Sequence, residues 1–193
     1  MIHPDTVLQF ISPEIGYGVF ATREIPMGTV TWVHDSLDQI LTPAQVQRMP
    51  EIYADPLTRY TYRTPEGNYV LLWDLARFMN HSCSPNCMGT HYGFEIAVKD
   101  IPSGGELTVD YVTLYMTPEE SFDCYCRSPG CRWHITGDDM EALGDQWAGV
   151  TEAGLLRIWE VEQPLLHLLN DASLQRACEE HGVPYQLRFR KLF

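Results

Sequence analysis

Six cysteines in 193 residues are few, and their placement is uneven. Cys124, Cys126 and Cys131 fall within eight residues in DCYCRSPGCRW, where Pro129 and Gly130 turn the chain. Three thiols this close can converge on one cation, yet tetrahedral zinc needs a fourth ligand. A second stretch, RFMNHSCSPNC (Arg77 to Cys87), offers Cys83 as the leading donor and Cys87 as the next, with His134 a local alternative. The same stretch sets Asn80 and His81 beside the thiols. It could equally carry a cysteine nucleophile with its base, or a polar turn that grips a ligand. A zinc held by four cysteines would have no open coordination position, so it would hold structure and activate no water. Cys178, on the border of a helical pattern, reads as packing.

The elements that must position these residues are mostly strands. Residues 5–34 read as strand, turn, strand: TVLQFISPE, then IGYGVFATREIPMGTVTWVH, bracketing Gly16 and Gly18. LTPAQVQRMPEIY predicts a short helix with Thr42 as N-cap and Pro43 at its first position. TYRTPEGNYVLLW predicts a hairpin around Pro65–Gly67. Phe94–Val98 and Glu106–Val112 are β-rich runs joined by the IPSGG turn, and MTPEESF is a capped half-turn. From Gly137 onward the composition changes, and AGLLRIWEVEQPLLHLLNDASLQRACEEHG has helical spacing. Leu155, Ile158, Trp159, Leu165, Leu166 and Leu169 lie on apolar faces, Pro164 divides the segment, Asp171 can cap a further helix and Gly182 ends it.

Bulk properties narrow the classes. Hydrophobic content of 45% and charged content of 20% are ordinary for a globular protein long enough to bury a core. No run of eighteen apolar residues exists, so no membrane span is expected. A formal net charge of −13 disfavours direct binding to nucleic acid phosphates and suits a basic, Lys/Arg-rich partner. The start MIHPDTVLQF lacks the basic and apolar regions of a secretory signal, so an intracellular setting is expected, cytoplasmic before nuclear for want of basic runs. Such a setting favours thiols or metal ligands over disulfides.

Taken together, four blocks resemble the SET-domain protein-lysine methyltransferases with a post-SET zinc-binding motif, and they occur in the family's order. GYGVFATREIPMG resembles the opening GxG motif, RFMNHSCSPNC the RFxNHSCxPN motif, GGELTVDY the GEELTxDY block, and CYCRSPGCRWHITG the post-SET tail. The resemblance runs from about Thr6 to Gly137. It implies an α+β, mainly β fold of small curved sheets, in which the chain bearing GELTVDY passes under the NHSC loop, a rare exception to unthreaded topologies. It also implies a SET domain over 1–116 with a variable insert at about 35–68, a zinc knuckle over 117–137 and a helical extension over 138–193.

The implied chemistry is methyl transfer from S-adenosylmethionine to a lysine amine of a basic protein such as a histone or histone-like protein. By resemblance, Tyr111 is the catalytic tyrosine and also touches the methyl donor. Gly16, Tyr17, Gly18, Arg77, Asn80 and His81 line the donor, and Arg132 and Trp133 lie over its adenine. Tyr69, Val109 and Tyr115 would form the lysine channel, and Cys83, Cys124, Cys126 and Cys131 would hold one structural zinc. A narrow aromatic channel disfavours ammonium, so lysine, with a reference pKa of about 10.4, would lose its proton without a strong base. Val109 and Gly89 stand where relatives carry bulkier walls, which implies di- or trimethylation. Two other readings remain at this point: an idle SET-like module that binds a basic peptide or protein, and a hydrolase using Cys83 or Cys87 with His81.

Overall fold

A computed structural model describes residues 1–184, so the last nine residues of the expected helical extension lie outside it. The described residues form small separate sheets with helices gathered at the C-terminal side, an α+β arrangement that is mainly β. Strand β1 (Thr6–Ser12) turns at Gly16, whose φ of +86° suits glycine, into antiparallel β2 (Gly16–Ala21). Next come β3 (Val30–Val33) and β4 (Gln39–Leu41). Helix α1 (Pro43–Val46) begins with a capping box in which Thr42 and Gln45 serve each other's backbone. Helix α2 (Ala54–Tyr60) leads to the hairpin of β5 (Thr61–Arg63) and β6 (Tyr69–Leu71), which β4 completes as a three-stranded sheet.

A short strand β7 (Asn80–His81) is followed by β8 (Cys87–Gly89), β9 (Phe94–Ala97) and β10 (Glu106–Val109). The IPSGG turn does not make β9 and β10 a hairpin. Strand β9 pairs with β3 and β8, whereas β10 crosses to lie between β2 and β7. The β10–β7 pairing is parallel, Thr108 beside Asn80 and Val109 beside His81. Residues far apart in sequence thereby become neighbours.

Asn86 fastens the crossing. Its side chain donates to the Glu106 carbonyl (2.8 Å) and accepts from the Thr108 N–H (2.9 Å), imitating one more strand along β10. The Ser82 N–H adds a bond to the Val109 carbonyl at 2.9 Å. Asn86→Ala would leave both β10 groups unpaired. It is expected to cost about 2–4 kcal/mol, read as a lowered urea midpoint.

The chain continues as a ribbon of β11 (Ser121–Asp123) and β12 (His134–Thr136) enclosing the three clustered cysteines. The second half of MTPEESF is thus extended, because Ser121 and Phe122 pair with Thr136 and Ile135. Helix α3 (Asp139–Leu155) starts earlier than the apolar spacing predicts, and the segment after Leu155 turns where a helix was expected. Helix α4 (Asp171–Glu180) is capped by Asn170, whose side chain accepts from the Ala172 N–H; Asp171 is its first residue. Gly182 follows its end with a φ of +65°.

The extension shares a core with the strands. Leu155, Ile158, Leu165 and Ala177 are buried in one cluster with Phe94, Ile96 and Ile135. Gln163 bonds this contact to β3: its amide donates to the Gly28 carbonyl (2.7 Å) and accepts from the Val30 N–H (2.9 Å). Gly28 is needed there, since a Cβ would meet the Arg157 backbone at 2.9 Å. A second cluster, holding Val19, Leu107 and Val109 with Val70 and Leu72, lies under the predicted site.

Candidate active site and metal centre

Tyr111 opens the single turn that follows β10, with Asp110 capping that turn through the Val112 N–H. Its backbone N–H donates to His81 Nδ1 at 3.2 Å, so the imidazole proton sits on Nε2, 3.4 Å from the Cys83 sulfur. Burial, reinforced by the charge of Arg132, lowers the His81 pKa to about 4, which keeps the ring neutral near neutral pH. The Tyr111 hydroxyl donates to the Met79 carbonyl at 2.9 Å. Burial raises its own pKa, so the phenol stays protonated. Phe122 packs against both rings, 5.1 Å from His81 and 5.7 Å from Tyr111.

On the far side of β10, Asn80 donates to the Tyr17 carbonyl (3.0 Å) and to Glu106 Oε1 (2.7 Å). Gly18 makes this approach possible. A Cβ there would lie 2.5 Å from Glu106 Oε1 and 2.7 Å from Ile11 Cδ1. Gly18→Ala is therefore expected to displace the Glu106 carboxylate, break its bond to Asn80 and cost about 1 kcal/mol. Calorimetric unfolding of the variant would read that loss. Tyr17 itself is 49% exposed.

Tyr111 borders a cavity of about 1030 Å³. Val109, Tyr69, Tyr62, Leu72, Met79 and Arg77 also line it. Tyr69 carries the Arg63 guanidinium 4.0 Å above its ring, and Arg63 pairs with Glu120 at 3.1 Å across the mouth. Arg77 is exposed and lies over Phe78 at 5.2 Å. Tyr115 points elsewhere: its hydroxyl bonds to His91 Nδ1 at 2.6 Å, and Leu114 and Met116 take up the wall beside it.

The sulfurs of Cys83, Cys124, Cys126 and Cys131 lie within 4.8 Å of one another, and all are free thiols. Cys83 and Cys124 are 3.7 Å apart, against roughly 3.8 Å between sulfurs of a tetrahedron with 2.3 Å metal bonds. Backbone N–H groups of Cys83, Cys126 and Arg132 point at the sulfurs of Cys126, Cys124 and Cys83. Burial opposes ionisation of Cys126, but Ser128 and the Cys83 N–H bring its pKa down to about 6. Four converging sulfurs with donors aimed at them can hold one metal ion. Cys87 is fully buried in the second core and His134 bonds to Asp123, so neither joins the group.

Arg132 joins the cluster to the site. Its guanidinium bonds to Asp110 Oδ2 (2.5 Å) and Asp139 Oδ2 (2.7 Å) while its backbone serves Cys83. Its charge is therefore spent on protein carboxylates. Trp133, in the left-handed region at φ +65°, is 65% exposed. Sequence reasoning missed Glu106, Asp110, Phe122 and Tyr62. The first two stand inside GGELTVDY and were legible as acidic residues in a strand bound for burial.

A model of the SET domain matches residues 16–112, half of the chain. The chain belongs to the SET-domain family. Relatives of this SET-domain chain are named as lysine methyltransferases. Histone-lysine N-methyltransferase ash1 of Drosophila melanogaster is 29% identical over 68% of the chain and 6% of its own length. Histone-lysine N-methyltransferase ASHH2 of Arabidopsis thaliana is 30% identical over 68% of the chain and 8% of its own. Histone-lysine N-methyltransferase, H3 lysine-36 specific, of Schizosaccharomyces pombe is 28% identical over 74% of the chain and 21% of its own. The SET-domain chain thus spans only a small part of each of these relatives, and the four-cysteine cluster agrees with a post-SET motif.

Proposed function

We propose that this chain is a protein-lysine methyltransferase that uses S-adenosylmethionine and acts on a basic protein such as a histone or histone-like protein. The observation that carries the reading is the meeting of Tyr111 with His81, next to Asn80, which the parallel β7–β10 pairing brings side by side from segments 30 residues apart. The relatives' names and the net charge of −13 support the target class. Asp55 and Glu119 among the cavity residues offer carboxylates to a basic peptide.

S-adenosylmethionine, when bound, supplies a methyl group carried on a positively charged sulfur. Gly16, Tyr17, Gly18, Arg77, Asn80 and His81 would hold it, with Trp133 available to cover the adenine. Glu106 and the Tyr17 carbonyl fix the Asn80 amide, and neutral His81 positions Tyr111 through its backbone. Tyr111 keeps its hydroxyl at one orientation because the Met79 carbonyl accepts its hydrogen bond, so the oxygen lone pairs are free to face a reacting amine. Tyr69 and Val109 would guide the lysine chain, while the His91 bond draws the Tyr115 hydroxyl away. Val109, 2% exposed and without a hydroxyl, leaves space for more than one methyl, which supports di- or trimethylation.

One zinc ion bound by the four cysteines would cross-link the β11–β12 ribbon to the loop after His81. Incubation with labelled S-adenosylmethionine and a panel of Lys-rich proteins tests the activity. Label on lysine is expected; donor binding without transfer to any of them would favour an idle binding module.

A further inference from the structure

A carboxyl in the cavity wall has no part in the chemistry above. Glu95 lies within β9, paired with Trp32 of β3 on one side and Gly89 of β8 on the other. Directly paired residues share a face of the sheet. The Trp32 indole therefore flanks Glu95, while Gly89 leaves the opposite side without a side chain. Glu95 is 9% exposed and lines the cavity that also holds Tyr111, Val109 and Tyr62. Its Oε2 is buried and, among the described residues, accepts no hydrogen bond. A buried carboxyl with one oxygen unpaired at the centre of a sheet is costly, and an apolar residue would serve packing better.

Burial, helped by the negative charge of Asp74 and opposed by the N-terminal ammonium, raises the Glu95 pKa to about 7. The other titratable groups set against it, Tyr62 on β5, Cys87 on β8 and Tyr111 beyond β10, are all pushed upward and stay neutral. Glu95 is thus the acid of this wall that exchanges its proton near neutral pH.

We propose that Glu95 receives the cationic amine of the side chain that enters this cavity and takes up one of its protons. The proposal rests on the lysine methyltransferase reading. In the step an N–H bond breaks, an O–H bond forms on the Glu95 carboxylate, and the electron pair stays on nitrogen. An ammonium and a carboxylate become a neutral amine and a neutral acid. In water the reference pKa values, about 10.4 and 4.3, oppose this transfer. Burial shifts the acid up and the amine down, which brings the two forms closer to balance. Glu95 then returns the proton to water before the next turnover.

Three proteins test it: wild type, Glu95→Gln and Glu95→Leu. The folded pKa lies above that of the unfolded chain, so the folded protein holds the extra proton between the two values. Wild type is expected to lose stability relative to Glu95→Gln as pH rises from the unfolded value, about 4.3, to about 7, with the difference constant below and above that window. Glu95→Leu should melt a few degrees above wild type at pH 8. n-Butylamine, a mimic of the lysine side chain, should stabilise wild type and enlarge its infrared carboxylic-acid band, with neither effect in Glu95→Gln. Methyl transfer at pH 7 should fall about 10²-fold in Glu95→Gln and recover toward high pH.

A Glu95→Gln protein that binds n-butylamine and transfers methyl as wild type does would overturn the proposal and leave the transferase reading intact. Amine binding that needs Glu95, in a protein that methylates nothing, would sink the transferase reading and keep the amine site. Melting of Glu95→Leu below wild type at pH 8 would make Glu95 a packing residue and end the proposal.

Discussion

Tyr111→Phe is expected to lower methyl transfer by about 10²–10³-fold, the loss typical of removing one preorganised polar group from a reacting centre. The ring would keep its contacts with His81 and Phe122, so packing should survive. What disappears is the hydroxyl held by Met79, and with it the oxygen proposed to face the amine. The Met79 carbonyl loses a partner, at a cost of about 1–2 kcal/mol. Donor binding should change little, since Asn80 is held by the Tyr17 carbonyl and Glu106 and His81 by the Tyr111 backbone N–H, none of which uses the phenol hydroxyl. Single-turnover transfer with and without the substitution, beside a donor-binding titration, measures both. Equal rates would remove Tyr111 from the chemistry.

Removing a metal held by the four cysteines would have the largest structural effect. Structural zinc binds model peptides with about 10–16 kcal/mol, whereas whole domains are stable by only about 5–15 kcal/mol. Chelation, or Cys124→Ser, is expected to unfold the β11–β12 ribbon and lower the melting temperature by about 10 °C or more. The damage should reach the site, because Phe122 on β11 packs on His81 and Tyr111, and Arg132 ties Asp110 to the cluster. Thiolates would be the ligands of such an ion, so acidification should release it as protons compete for sulfur. Metal analysis and calorimetry before and after chelation check this. A metal-free chain with an unchanged melting temperature would refute it.

The site was legible where chemistry restricts residue type. Thiols that must converge and glycines that must admit another chain leave short, recognisable strings, and Gly18 shows why: a Cβ there would crowd the Glu106 carboxylate that holds Asn80. The hairpin around Pro65–Gly67 and the capped helix at Thr42 were legible from local turn and cap chemistry. Pairings set by distant partners were not. β9 and β10 share a turn yet join different sheets, because β10 finds β2 and β7 across the molecule. The start of α3 was hidden by its polar first turn, with Asp139 and Glu141, which apolar spacing cannot register. Glu95 was hidden too. It occupies one position of an otherwise apolar strand, and only the burial of its neighbours makes its charge conspicuous.

The parallel contact between β7 and β10 also governs how this chain comes into being. Asn80 leaves the ribosome well before Thr108, and Cys83 before Cys124, so neither meets its partner until a long stretch has been made. Contacts of such sequence separation form slowly, after loop entropy has been overcome. Until then the edges of β2 and β7 stand open to other chains. The same interlacing must be undone before the native state can come apart, so an assembled molecule should owe its lifetime to a high barrier as much as to depth of the free-energy well.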